Sequence, residues 1–169
     1  MQNLAMKYEE TGTQHMKSAH EFNPVVLREY DIRGIVGENI GEDDAYAIGR
    51  ALGTKIVRAG GLRVAVGRDG RNSSPALAEA VMQGFVDCGL TVMNIGVGPS
   101  PMLYFTVHDR MLDGGLVVTG SHNPSHYNGF KMMDQKGSVF GDAVQEIGRI
   151  AAAGDYESGQ GEVQALDVY

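Results

Sequence analysis

The run Thr119-Gly120-Ser121-His122-Asn123-Pro124 places a hydroxyl at the tip of a short polar loop. It directly follows the apolar residues Leu116-Val117-Val118, so a buried strand is expected to end there in a tight turn. Gly120 has no side chain and lets the backbone turn sharply beside Ser121. Asn123 precedes Pro124 and is pushed toward extended geometry. Asn128-Gly129-Phe130-Lys131 then supplies a second turn, an aromatic ring and a cation. A serine displayed this way suits a nucleophile or a carrier of phosphoryl groups. The plainer reading is an ordinary polar turn at a strand end. Nucleophilic hydrolysis would need a base and an oxyanion hole. His122 is adjacent, but neighbouring side chains on an extended loop usually point apart. The Gly-x-Ser-x-Gly elbow is also absent, because position 119 is threonine and position 123 is asparagine. A phosphoserine would add about -1.5 to -2 charges at the loop tip and would need cations around it. No Gly-x4-Gly-Lys-Ser/Thr loop occurs, so nucleotide-driven transfer has no support.

The flanking pattern says how such a loop is held. Ala45, Ile48, Leu52 and Ile56 recur at spacings of three and four, which predicts an amphipathic helix over residues 43–58. Gly60-Gly61 ends it. Leu62 to Val66 alternates like a strand. Ser74-Pro75 reads as a helix cap followed by proline in the first turn, and Leu77, Val81 and Phe85 mark the inner face of that helix. Leu90 to Ile95 is the next strand, and Ser100-Pro101 repeats the cap-and-proline device. Gly129 to Met133 is expected to lie beside Leu116-Val118, and a last helix spans 142–153. Alternating strands and helices predict an α/β fold: a three-layer α/β/α sandwich around a mixed, mostly parallel sheet, in a single domain. Ligands of such sheets bind beyond the carboxyl ends of the strands. The Arg68-Asp69-Gly70-Arg71 loop, the Gly98-Pro99-Ser100 turn and the Ser121 loop all follow strands, so they should share one rim. A hydroxyl and two arginines on one rim make a phosphate site.

Four segments, in order, resemble the alpha-D-phosphohexomutase family of phosphomannomutase and phosphoglucomutase. Residues 119–131 resemble its active-site serine loop. Tyr30-Asp31-Ile32-Arg33-Gly34, Gly67-Arg68-Asp69-Gly70-Arg71 and Val97-Gly98-Pro99-Ser100-Pro101 resemble three further motifs. The resemblance covers residues 22–153. It implies that Ser121 is phosphorylated at rest and passes its phosphoryl group to a hexose phosphate. A bisphosphorylated sugar is the implied intermediate between hexose 1-phosphate and hexose 6-phosphate, with mannose or glucose as the sugar. It also implies that the Ser121 phosphate binds Mg2+, that His122 supports the phosphoserine, and that Lys131 lies near the transferred group. By the same resemblance Tyr30 and Arg33 face phosphoserine and sugar, while Thr119, Gly120, Asn123, Arg68 and Asp69 support the loop. Relatives acting on glucosamine phosphate tend to carry alanine at the position of Gly120, so the hexose branch is favoured. Read without the resemblance, Arg68 and Asp69 brace their loop by a salt bridge.

The resemblance reaches only the first of four domains. No Asp-Gly-Asp-Gly-Asp loop, which would supply the family's metal aspartates, occurs in the sequence. The expected organisation is a flexible N-terminal extension at 1–21, the serine-loop domain at 22–153, and a linker at 154–169 toward a second domain. The missing domains 2 to 4 are the implied partners, and the isolated chain is expected to be inactive. A non-catalytic scaffold or interaction module is the alternative.

Composition narrows the remaining classes. The 169 residues suit one domain, and 43% are hydrophobic, which suits a packed core. The net charge of -7 argues against a nucleic-acid partner. Cys88 is the only cysteine, so an internal disulfide is impossible, and it is expected to be a buried thiol. No run approaches the roughly 20 apolar residues of a membrane span, and no secretory signal is recognisable, so the expected compartment is the cytoplasm.

Overall fold

The computed structural model describes residues 19–169. After a 3-10 turn at Pro24–Val26, the order is β1 Ile32–Ile35, α1 Glu42–Arg58, β2 Arg63–Arg68 and α2 Ser74–Asp87. Then come β3 Thr91–Val97, α3 Ser100–Asp109, β4 Gly115–Val118, β5 Tyr127–Asp134, β6 Gly137–Ser138, α4 Asp142–Ala153 and β7 Glu162–Ala165. The strands form one mixed sheet in the order β1-β5-β4-β2-β3-β7, with β6 paired to β5. β4, β2, β3 and β7 are mutually parallel, whereas β5 runs antiparallel to both β1 and β4. The expected α/β sandwich is therefore the observed fold.

The two faces are unequally covered. Val64, Val66, Val92, Leu116, Val118, Phe130 and Met132 share a core with residues of α1, α2 and α4. The opposite face carries a smaller cluster, with Ala65, Val117 and Met133 under Leu103 and Val107 of α3. One helix thus covers a face that three cover on the other side. The β1–β5 end of the thin side is left open to the site.

α1 and α2 approach at glycines. A Cβ on Gly84 would lie 2.5 Å from the Tyr46 carbonyl oxygen and 2.8 Å from the Arg50 nitrogen, and one on Gly49 would run into the Val81 carbonyl. Only hydrogen fits at that crossing. Close packing leaves no slack for an added methyl.

Three expectations need correction. The helices begin at Ser74 and Ser100 themselves, so neither serine is a cap; their caps are Ser73 and Pro99, and neither makes a side-chain capping bond. The Ser74 hydroxyl is drawn away to Asp69 at 2.5 Å. The segment 154–169, expected as a linker, contains β7, which pairs with β3 from Thr91↔Glu162 to Asn94↔Ala165. It is also tied down before that strand. Arg50, fully buried on α1, donates to Glu157 O at 3.1 Å and Ser158 Oγ at 3.4 Å. Its guanidinium lies 4.8 Å from the Tyr156 ring centroid and 5.9 Å from that of Tyr46. Arg58 adds ion pairs to Asp155 and Glu157. Finally, most of the expected N-terminal extension lies outside the described residues, but His20 is anchored. Its backbone donates to Ala151 O at 2.8 Å and its ring meets Asp44 Oδ1 at 2.7 Å.

Candidate active site

The register of the sheet builds the site. Val118 closes β4 opposite Phe130, and Phe130 sits opposite Ile32. β1 therefore begins in the row where β4 ends and projects beyond it. In the next row the Thr119 N–H donates to Gly129 O at 2.9 Å, and Gly129 pairs with Arg33. Arg33 is thus carried beside the start of the serine loop. Lys131, opposite Val117, sits two residues along β5 from Gly129 and shares its face.

Ser121 has φ of +52°, one of only two non-glycine residues with positive φ among those described. That left-handed conformation costs an L-residue roughly 1–2 kcal/mol. It persists only where the surroundings hold it, and such strain concentrates at functional sites. The surroundings here are specific. The Ser121 N–H donates to Thr119 Oγ1 at 3.0 Å, and the Asn123 N–H to Gly120 O at 3.0 Å. The Gly120 N–H donates to Asp69 Oδ2 at 3.0 Å.

Asp69 arrives from the end of β2, where its own N–H donates to Val118 O at 2.8 Å. Its Oδ1 accepts from the Arg71 N–H at 3.1 Å and from Ser74 Oγ, and its Oδ2 also accepts from Arg71 Nε at 3.1 Å. Burial alone would raise its pKa. The hydrogen bonds from Ser74, Gly120 and Arg71 outweigh burial and hold the carboxyl below the usual carboxylate range.

The expected brace between Arg68 and Asp69 is not formed. The ion pair joins Asp69 to Arg71 instead. Arg68 donates to the Asp69 carbonyl at 3.3 Å and lines a separate cleft of 370 Å³ with Pro75, Glu79 and Gln83 of α2. Alternation places it on the side of the sheet opposite α3, away from Lys131. Two arginines were expected on this rim as a phosphate site, but Arg68 faces the other cleft and Arg71 is spent on the loop itself. Its guanidinium donates to four carbonyls of the serine loop: Nη1 to Pro124 at 2.6 Å and Tyr127 at 3.2 Å, Nη2 to Ser121 at 3.2 Å and Asn123 at 2.6 Å.

The remaining expected residues gather on the open face. Arg33 pairs with Asp31 through Nη2 at 2.5 Å and Nε at 3.1 Å, and Nη1 reaches Asn123 Oδ1 at 3.4 Å. Its bond to Asn123 couples β1 to the serine loop. Tyr30 and Lys131 line one cleft of 290 Å³ with Tyr104, Ser138 and Phe140. Tyr30 is 76% exposed, so it offers its ring and hydroxyl to solvent. His122 is exposed beside Ser121, which is half-buried. Asn128, which sequence analysis noted only as part of a turn, is fully buried; its Nδ2 bridges Ser73 and Ser74, and its Oδ1 accepts from the Gly129 N–H at 2.9 Å.

A divalent cation does not fit the residues present. No group of three or more His, Cys, Asp or Glu side chains converges among the described residues. Asp69, the carboxylate tied to the loop, is committed to four donors. Among the described residues no helix is long and apolar enough to cross a membrane.

A left-handed serine on a polar loop beyond a parallel strand, in a mixed sheet with helices on both faces, defines an α/β domain with a braced loop at the carboxyl edge of its sheet. The chain belongs to the phosphoglucomutase/phosphomannomutase family: residues 24–158 match its alpha/beta/alpha domain I. It is 43% identical over 145 residues to a phosphoglucomutase of Neisseria meningitidis serogroup A, covering 85% of this chain and 32% of that protein. It is 41% identical over 143 residues to a phosphomannomutase/phosphoglucomutase of Pseudomonas aeruginosa PAO1, covering 85% and 31%. A crystal structure of a phosphoglucomutase/phosphomannomutase family protein from Burkholderia thailandensis superposes with a TM-score of 0.84 at 37% identity, covering 87% of this chain and 34% of that one. The chain thus spans about a third of the length of the relatives it matches.

Proposed function

We propose that this chain is the serine-loop domain of a mutase interconverting hexose 1-phosphate and hexose 6-phosphate, with Ser121 as the phosphoryl carrier. The observation that carries the reading is the left-handed Ser121 on a loop clamped at the carboxyl end of β4. A backbone held in a costly conformation at a polar tip needs a reason, and presenting a reactive oxygen supplies one. Arg33 and Lys131 on the adjoining face suit the charge of a transferred phosphoryl group.

In the proposed reaction a sugar hydroxyl attacks the phosphorus of phosphoserine 121. The new sugar O–P bond forms as the Ser121 O–P bond breaks. The hydroxyl proton leaves to a nearby base, with Lys131 as candidate, His122 orients the phosphoserine, and the serine oxygen is reprotonated. The bisphosphorylated sugar then returns its other phosphoryl group to Ser121 by the reverse step. Arg33, Tyr30 and Lys131 would hold the sugar phosphate in line, which is where most catalysis of phosphoryl transfer lies. Mg2+ would be held through the phosphate on Ser121 only with further ligands that the described residues of this chain do not supply. Mannose and glucose phosphates are the first choice of substrate, in the cytoplasm.

The test is a mass measurement. A full-length mutase carrying this domain is purified, incubated with glucose 1,6-bisphosphate, digested, and each peptide weighed. A phosphate on the Ser121 peptide, absent from Ser121→Ala, is the expected result. Phosphate on another serine, or mutase turnover that survives Ser121→Ala, would refute the assignment.

A further inference from the structure

We propose that Arg71 is a positioning residue that sets the backbone of Ser121, acting with Asp69 and the missing side chain of Gly120 as one device. The inference rests on the reading of Ser121 as phosphoryl carrier, since only then does its aim matter to chemistry. Arg71 spends both terminal nitrogens on loop carbonyls spread from Ser121 to Tyr127. Its Nε returns to Asp69, and Asp69 holds the Gly120 N–H with the same Oδ2. The closed circuit runs Arg71, Asp69, Gly120, Ser121, Arg71. One guanidinium thereby fixes the residues on both sides of the Ser121 Cα. With φ fixed, the direction of the Cα–Cβ bond is fixed, and the hydroxyl starts from a set point.

Gly120 is shaped to this device. A Cβ built there would overlap the Arg71 guanidinium, meeting Cζ and Nε before anything else. With glycine here the guanidinium passes directly under the loop, and an added methyl would push it off this position. Its φ lies outside the positive range, so backbone freedom does not account for it. Lysine cannot substitute for the arginine, because a single ammonium lacks the planar fork that spans four acceptors. Arg71 does not touch the transferred group in this arrangement, so its effect passes through Ser121.

The experiment compares Arg71→Lys, Gly120→Ala and the unaltered chain by NMR. The amide–α-proton coupling and Cβ shift of Ser121 report its φ. Amide exchange at Gly120 and Ser121 reports how firmly the loop is held, while Val66 and Val117 report the core. In both variants the Ser121 coupling should move to an averaged value, and exchange at Gly120 and Ser121 should rise about tenfold or more, with core protection kept. Gly120→Ala should add little further once Arg71→Lys is present, because both break the same contact. An unchanged Ser121 coupling in both variants, or fully additive exchange in the double variant, overturns the proposal. Should Arg71→Lys fail to fold, Gly120→Ala alone decides by the same readout. The carrier role is read separately, from phosphate on the Ser121 peptide of a full-length mutase carrying this domain. A mutase that takes no phosphate on Ser121, while the chain loses the Ser121 signature on Arg71→Lys, would sink the carrier assignment and leave the positioning device standing.

Discussion

Replacing Asp69 by asparagine tests the central joint of the loop. The carboxylate receives four donors: Gly120 N–H, Arg71 N–H, Arg71 Nε and the Ser74 hydroxyl. Asparagine has one oxygen and one NH2 group. Whichever way the amide turns, two of the four bonds as they stand are lost; the N–H partners then face another donor, and only the Ser74 hydroxyl can rotate to accept. One lost bond carries ionic character if the amide faces Arg71, so the cost is about 3 kcal/mol, from roughly 1 for a neutral bond and 1.5–3 for a charged one. For a domain of this size that lowers the midpoint by roughly 6–12 °C at pH 7. The effect must also depend on pH. The folded-state pKa of Asp69 lies below its ordinary value. Its stabilisation is therefore fully present above the unfolded pKa near 4 and is lost as pH falls through the folded value. Asparagine does not titrate, so the gap between the two proteins should narrow steadily below about pH 4. The assay is thermal unfolding by circular dichroism from pH 7 down to pH 3. A variant within about 0.5 kcal/mol of the original at pH 7, the usual range for a surface change, would refute the argument, as would a gap unchanged by acid.

Gly84→Ala should destabilise by about 1–3 kcal/mol through overpacking of the α1–α2 crossing, read from the urea midpoint at constant slope. Arg50→Ala should cost at least about 2 kcal/mol, since it removes bonds to residues 157–158 and two ring contacts; amide exchange at 155–161 should quicken first. In a full-length mutase carrying this domain, Ser121→Ala should abolish nearly all turnover and Lys131→Ala should lower it strongly, measured with glucose 1-phosphate. The 169-residue chain itself should convert no glucose 1-phosphate and should bind magnesium only weakly by calorimetry, because magnesium demands a near-octahedral set of oxygens.

Much of this was legible in local pattern. The three-four spacing of Ala45, Ile48, Leu52 and Ile56 located α1, and all four are buried. Leu116-Val117-Val118 located β4, and the turn residues after it located the serine loop. What sequence could not show lies in contacts between distant segments. Arg71 and Ser121 are 50 positions apart, and only the pairing of β2 with β4, which puts Arg68 opposite Val118, brings their loops together. Two arginines flank Asp69, and nothing in the spacing says which turns toward the loop. Ser74 carried a true helix-start signal, yet a carboxylate across the turn competed for its hydroxyl. β7 left no trace because all four of its residues are exposed, and its place rests on backbone bonds to β3.

The clasp formed by Arg50 and Arg58 bears on motion. Glycines at 154, 159 and 161 suggest a hinge directly after α4. That stretch is instead fastened to α1 and α2, with the Gly159 N–H on Asp87 O and the Gly161 N–H on Val86 O, both at 2.9 Å. Torque applied beyond residue 166 would be delivered to the sheet and the helical layer as to a rigid lever, with the buried guanidinium as its pin. Any swivel between this domain and a neighbour joined after it would have its pivot past Leu166, and the serine rim would keep its bearing throughout the stroke.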